Sequence, residues 1–163
     1  STGEVMGLDT DLGIAYAKSQ MASGSSLPLE GRVFISVSDA HKAEVADLAK
    51  RFADLGFKLS STTGTAAVLA KAGLEVESVP KLAEGRPNTL DLLKNNEIQL
   101  VINTPSGQAP RADEIKIRTT AIYTNTPIMT TIGSAKAAAV TPASAASPRD
   151  FGKPLRRWRC ASG

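Results

Sequence analysis

Hydroxyl, amide and ammonium groups gather at five places in this chain, each just behind a short apolar run. Ser36, Ser38 and Lys42 follow "RVFISV". Thr62, Thr63, Gly64 and Thr65 follow "FKLSS" inside the stretch "SSTTGTA" at 60–66. Lys81 follows "EVESV", and Asn103, Thr104, Ser106 and Gly107 follow "IQLVIN". Thr130 and Thr131 stand near the end of "PIMTTI". All of these groups suit an anion. A helix N-terminus presents unpaired N–H donors and a partial positive charge. Thr and Ser add donors without bulk, Gly64 lets backbone approach closely, and Lys42 and Lys81 would balance a phosphate.

Each group also has a plainer reading. Thr62–Thr65 serves equally well as a helix cap or as a phosphate cradle. Lys42 and Lys81 taken singly are solvated surface lysines, and Asn103 and Ser106 around Pro105 are turn residues. His41 reads as an exposed residue with no task. Asp113 reads as a helix-start residue or a ribose contact. Catalytic patterns are missing. There is no GxxxxGK[ST] loop and no GxGxxG fingerprint. His41 is the one histidine, so no Ser–His–Asp set can form, and no cluster suggests a metal. These residues alone describe a small-anion site with no catalytic residue, no metal and no bound cofactor.

The elements that must position these groups alternate. "DLGIAYAKSQMA" (11–22) has helical spacing, with Leu12, Tyr16, Ala15 and Ala22 available for burial. Residues 23–31, "SGSSLPLEG", read as a linker and domain boundary. Strands are expected at 32–37, 57–61, 75–79, 98–103 and 127–132, the third nearer an edge. Helices are expected at 39–56, 64–73, 89–96, 112–125 and from 133. Strands alternating with helices of this length form a parallel sheet through right-handed crossovers. The expected fold is a three-layer α/β/α sandwich on a five-stranded parallel sheet. Ligands bind such sheets at the strands' carboxyl ends, near the reversal of strand order. That is where the polar groups fall.

Composition bounds the rest. The chain of 163 residues is long enough for one domain with a real core and appended material. It begins at Ser1 without Met, which reads as a fragment. No apolar run is long enough to cross a bilayer, and a single cysteine, Cys160, fits a reducing, cytoplasmic setting. Of the formal charge of +3, Arg149, Lys153, Arg156, Arg157 and Arg159 against Asp150 supply +4. The first 148 residues therefore carry −1, and a nucleic-acid partner would rest on the tail alone.

The motifs taken in order carry a resemblance. "GRVFISVSDAHK", "GFKLSSTTGTAAVLAKAG", "VPKLAEGRPNTLDLLKNNEIQLVINTPSG" and the leading "STGEVMG" are similar to carbamoyl-phosphate synthase large subunits. The first three resemble the methylglyoxal-synthase-like domain at their C-terminus. "STGEVMG" resembles the end of their second ATP-grasp unit. The likeness covers residues 1 to about 140. It implies a Rossmann-like domain that binds allosteric effectors, nucleotides such as UMP and IMP in bacterial forms. The chemistry would lie elsewhere: ATP with Mg or Mn, bicarbonate and glutamine-derived ammonia give carbamoyl phosphate for pyrimidine and arginine synthesis. The implied partners are the rest of the large subunit and a glutaminase small subunit.

The resemblance assigns effector phosphate to Lys42, Thr62, Gly64, Thr65 and Lys81. It assigns base and ribose to Ser36, Asn103 and Asp113, and an ornithine-facing position to Thr130. Some members carry threonine where Pro105 stands and tyrosine where Ile128 stands, so the nucleotide and the ornithine response stay open. The alternative is a stand-alone lyase of the methylglyoxal-synthase type, acting on a small phosphorylated substrate. Such enzymes need an aspartate in a "GGD" turn, whereas this chain reads "EGRPN". Residues 141–163 are read as a disordered or extrinsic tail, broken by Pro142, Pro148 and Pro154. A shifted reading frame is one origin for it.

Overall fold

The computed structural model describes residues 4–25, 27–105 and 112–144, the last four as backbone only. Among them are five strands: β1 (Arg32–Ser36), β2 (Lys58–Thr62), β3 (Glu77–Val79), β4 (Leu100–Asn103) and β5 (Ile128–Met129). Six α-helices accompany them: α1 (Leu12–Ala22), α2 (Lys42–Asp54), α3 (Thr63–Lys71), α4 (Thr89–Lys94), α5 (Ala112–Tyr123) and α6 (Ile132–Ser144). All strand pairs are parallel, in the order β3-β2-β1-β4-β5.

Burial explains why the central strands read as unbroken apolar runs. Val33, Phe34 and Ile35 of β1 have no solvent exposure, and all of β4 is buried. On one face Val33, Ile35, Leu100, Ile102 and Met129 pack against Val45, Leu48 and Phe52 of α2, Leu69 of α3, and Ala135 and Ala138 of α6. On the other, Phe34, Val79 and Val101 lie with Leu92 and Leu93 of α4 and Ile117 and Ala121 of α5. Each fully buried large side chain stabilises the fold by about 1.5–3 kcal/mol. Helix α2 shows how spacing selects a face. Val45, Leu48, Ala49 and Phe52 stand at i, i+3, i+4 and i+7, and all are buried. Gly56 ends that helix region at φ +88°, a conformation glycine adopts without strain.

The topology creates the site. From β1 the chain steps to β2 and then β3, and returns over α4 to β4 on the other side of β1. Strand order therefore reverses between β1 and β4. Ser36 and Asn103 are direct register partners at that point.

Several expectations shift. Asp39–His41 form a single 3-10 turn, and α2 starts only at Lys42. β5 is two residues long rather than six, because it lies at the sheet edge and Thr131 instead caps α6, its Oγ1 accepting the Ser134 N–H at 3.1 Å. Helix α6 passes through Pro142 and ends at Ser144; the proline stands in its last turn, where a missing N–H removes one end bond. The rest of the supposed tail lies outside the described residues. In α1 the buried positions are Gly13 and Ala17, whereas Leu12 is 78% exposed. The reason is close packing on α6. A Cβ at Gly13 would stand 2.6 Å from Val140 Cγ1. Tyr16, half-buried on the same helix, donates its hydroxyl proton to Met129 Sδ at 2.8 Å.

Candidate ligand cleft

A cleft of about 250 Å³ opens at the carboxyl edge of the sheet. Ser36 ends β1 and Asn103 ends β4, side by side. Asn103 is 1% exposed, and its Nδ2 is buried with no hydrogen-bond partner. A buried orphan donor is costly, and an acceptor on a ligand in the cleft would satisfy it. Its backbone carbonyl accepts from Arg118 Nη2 of α5 at 3.4 Å.

The β2–α3 junction forms the next wall. Thr62 is the N-cap of α3 in extended conformation, and its side chain makes no capping bond. The plain cap reading therefore fails for that hydroxyl, and the first-turn N–H groups are not claimed by it. Gly64 and Thr65 line the cleft as well. A Cβ on Gly64 would meet nothing within 4 Å except Lys42 Nζ, at 4.0 Å. Backbone N–H donors and an ammonium group thus face one another across a space with no side chain in it.

Lys42 comes from the head of α2 and Lys81 from the loop after β3. Each meets a carboxylate three residues away. Lys42 Nζ is 2.5 Å from Asp39 Oδ1, and Lys81 Nζ is 3.3 Å from Glu84 Oε1. Asp113 lines the cleft from the first turn of α5, beside Glu114. Among the described lining residues, the ammonium groups thus stand on the α2 side and the Lys81 loop, each beside a carboxylate, and two further carboxylates stand on α5.

Ten residues singled out from sequence, Ser36, Ser38, Lys42, Thr62, Gly64, Thr65, Lys81, Asn103, Thr104 and Asp113, are brought together here. Thr130 is not among the lining residues; it is exposed just beyond β5. Ile128 packs under the α4–α5 face. Ser106 and Gly107 lie outside the described residues. Thr89 and Glu114 also line the cleft and were missed. Thr89 opens α4 directly behind the Lys81 loop and was legible as another helix start at the same edge. Thr104 joins the two sides of the reversal. Its Oγ1 accepts the Ser38 N–H at 3.0 Å, and its own N–H reaches the Ser36 carbonyl at 3.2 Å.

His41 is half-buried rather than exposed, with Nδ1 2.9 Å from Ser38 Oγ. The carboxylate beside it, Asp39, turns to Lys42. The Ser38–His41 pair is thus a contact within the turn that leads into α2. The arrangement suits holding a phosphate at one end and hydrogen-bond donors at the other.

Residues 44–130 match the family model described as the MGS-like domain. This chain belongs to the MGS-like domain family. Several of its relatives are named carbamoyl phosphate synthase large chain. It is 51% identical over 137 residues to the carbamoyl phosphate synthase large chain of Nostoc sp., covering 84% of this chain and 12% of that one. It is 46% identical over 132 residues to the carbamoyl phosphate synthase large chain, C-terminal section, of Aquifex aeolicus, covering 81% of this chain and 25% of that one. The large chain of Gemmatimonas aurantiaca aligns at 43% over 158 residues, 97% of this chain and 14% of that one. That alignment leaves out at most five residues of this MGS-like chain and so enters the supposed tail. The chain spans about an eighth of the full-length relatives and a quarter of the C-terminal section. Methylglyoxal synthase from Elizabethkingia anophelis NUHP1 shares the fold, with a TM-score of 0.57 and 17% identity over 68% of this chain and 77% of that one.

Proposed function

We propose that this chain is the effector-binding portion of a carbamoyl phosphate synthase large chain. Its cleft holds the phosphate of a nucleotide such as UMP or IMP and releases it unchanged. Lys42, Thr62, Gly64, Thr65 and Lys81 take the phosphate. Ser36, Asn103 and Asp113 take base and ribose. Residues 1–22 end the preceding ATP-grasp unit, 23–31 are the linker and 32–140 are the regulatory domain. Thr130, outside the cleft, faces the ornithine side. In the whole enzyme, ATP with Mg or Mn, bicarbonate and ammonia from a glutaminase small subunit react elsewhere, in the cytoplasm.

The observation that carries this reading is the meeting of two lysines, the α3 N-terminus and the orphaned Asn103 Nδ2 in one cleft. Calorimetric titration of the 163-residue chain with UMP, IMP and other nucleotides tests it. Saturable binding of at least one at a single site is expected, and none with any nucleotide sinks it.

The shared methylglyoxal synthase fold supports a second reading, a lyase acting on a small phosphorylated substrate. The loop where such an enzyme needs its aspartate reads "EGRPN". The next carboxylate, Asp91, is engaged in capping α4, accepting the Asn88 N–H at 3.0 Å. Methylglyoxal released from dihydroxyacetone phosphate, dependent on residues 81–88, would favour the lyase.

A further inference from the structure

Both cations of the cleft already have anionic partners on their own loops. Lys42 meets Asp39 at 2.5 Å and Lys81 meets Glu84 at 3.3 Å, each pair three residues apart. The Glu84 carboxylate is held by the turn it sits on. Its Oε2 accepts the Lys81 N–H at 3.2 Å, and the Glu84 N–H reaches the Lys81 carbonyl at 2.9 Å. Among the described lining residues, Lys42 and Lys81 stand against Asp39, Asp113 and Glu114. A site made only to hold phosphate tightly would not give each of its ammonium groups a carboxylate partner of its own.

We infer that Asp39 and Glu84 are internal competitors for the ligand's phosphate. They occupy Lys42 and Lys81 when no phosphate is bound, and a phosphate group must displace both. A phosphate dianion can do so because it offers more charge and more acceptor oxygens than one carboxylate. A carboxylate or chloride cannot gain by the exchange. The pair thereby lowers affinity and favours phosphate over simpler anions. The inference rests on the phosphate reading of the cleft.

Two consequences follow. Removing a competing charge while keeping the side-chain shape should tighten binding. The competing pairs are exposed, with side-chain exposures of 92% for Asp39 and 49% for Glu84, so each competes weakly. Removal of either should tighten binding by about 1.5- to 5-fold, the range for one exposed ion pair. The second consequence is a changed salt response. In the native chain, binding exchanges one set of ion pairs for another, so affinity depends little on ionic strength. Without the carboxylates, binding creates new ion pairs that salt screens.

The test is titration of the native chain, Asp39→Asn, Glu84→Gln and the double variant with UMP and with inorganic phosphate, at low and high salt. The expected result is tighter binding of both probes in each single variant, more in the double, and a steeper salt dependence in the double. Unchanged or weaker binding in the variants, with the native chain still binding UMP, overturns the competition and makes the carboxylates braces for the lysines. Absence of UMP and phosphate binding in all four chains overturns the phosphate reading, and this inference with it. Melting curves for each variant check that the exposed substitutions leave the fold intact.

Discussion

Replacing Gly64 by alanine separates the fold from the proposed ligand contact. Gly64 is the second residue of α3, and its φ is not in the left-handed region, so alanine fits the backbone. A methyl group there meets only Lys42 Nζ, at 4.0 Å, an ordinary contact. Glycine is about 1 kcal/mol worse than alanine in a helix interior and less so in the first turn. A gain of about 0.5 kcal/mol would raise the melting temperature of a chain this size by about 1–2 °C. The ligand feels the opposite effect. A phosphate oxygen bridging Lys42 and the first-turn N–H groups lies about 2.8 Å from the ammonium nitrogen. An oxygen lying between the two, within about 60° of the line from Nζ to the methyl, falls inside the ~3.5 Å that a methyl carbon needs. The phosphate must withdraw and lose at least one charge-assisted hydrogen bond, worth about 1.5–3 kcal/mol. UMP binding should weaken about 10- to 100-fold while the melting temperature stays level or rises. Calorimetry and a thermal melt on the same sample read both. Unchanged affinity in a folded Gly64→Ala chain would refute close backbone approach to the phosphate.

Three further outcomes are expected. Lys42→Ala removes the ammonium facing Gly64 and should weaken UMP about tenfold or more, read by the same titration; unchanged affinity would remove Lys42 from the site. Gly13→Ala forces a methyl within 2.6 Å of Val140 and should destabilise by about 1–3 kcal/mol in a denaturant melt, with UMP affinity kept, since α1 and α6 do not line the cleft. Burial raises the Tyr16 pKa above its ordinary 10.0, so the folded chain keeps that proton longer than the unfolded one. Stability from this group is intact below pH 10 and is lost as pH rises through the folded value. Tyr16→Phe should therefore flatten the fall in stability above pH 10, and an identical profile would place Tyr16 in solvent.

Much of this was legible in the chain because two signals agreed. Apolar runs bounded by polar, glycine or proline residues marked the strands, and i, i+3, i+4 spacing marked the buried face of α2. The anion-site residues were legible because each followed a strand, and the parallel topology brings strand ends to one edge. What stayed hidden depends on contacts distant in sequence. Gly13 is buried because Val140 packs on it from 127 residues away, and no local pattern states that. Leu12 looked like a core residue by spacing, yet α1 docks through its small side chains instead. The length of β5 depended on its edge position and on Thr131 turning to cap α6. Pairing of Lys42 and Lys81 with Asp39 and Glu84 follows from side-chain directions at the loop turns.

The most direct measurement is a nitrogen–proton correlation titration of the isotopically labelled chain with UMP. The amides of Thr63, Gly64 and Thr65 at the head of α3 should show the largest saturable shifts, with Lys42 and Asn103 following. Those of α1, which does not line the cleft, should stay in place. Saturable shifts centred anywhere other than the β2–α3 junction, or none at all, would contradict a phosphate cradle there.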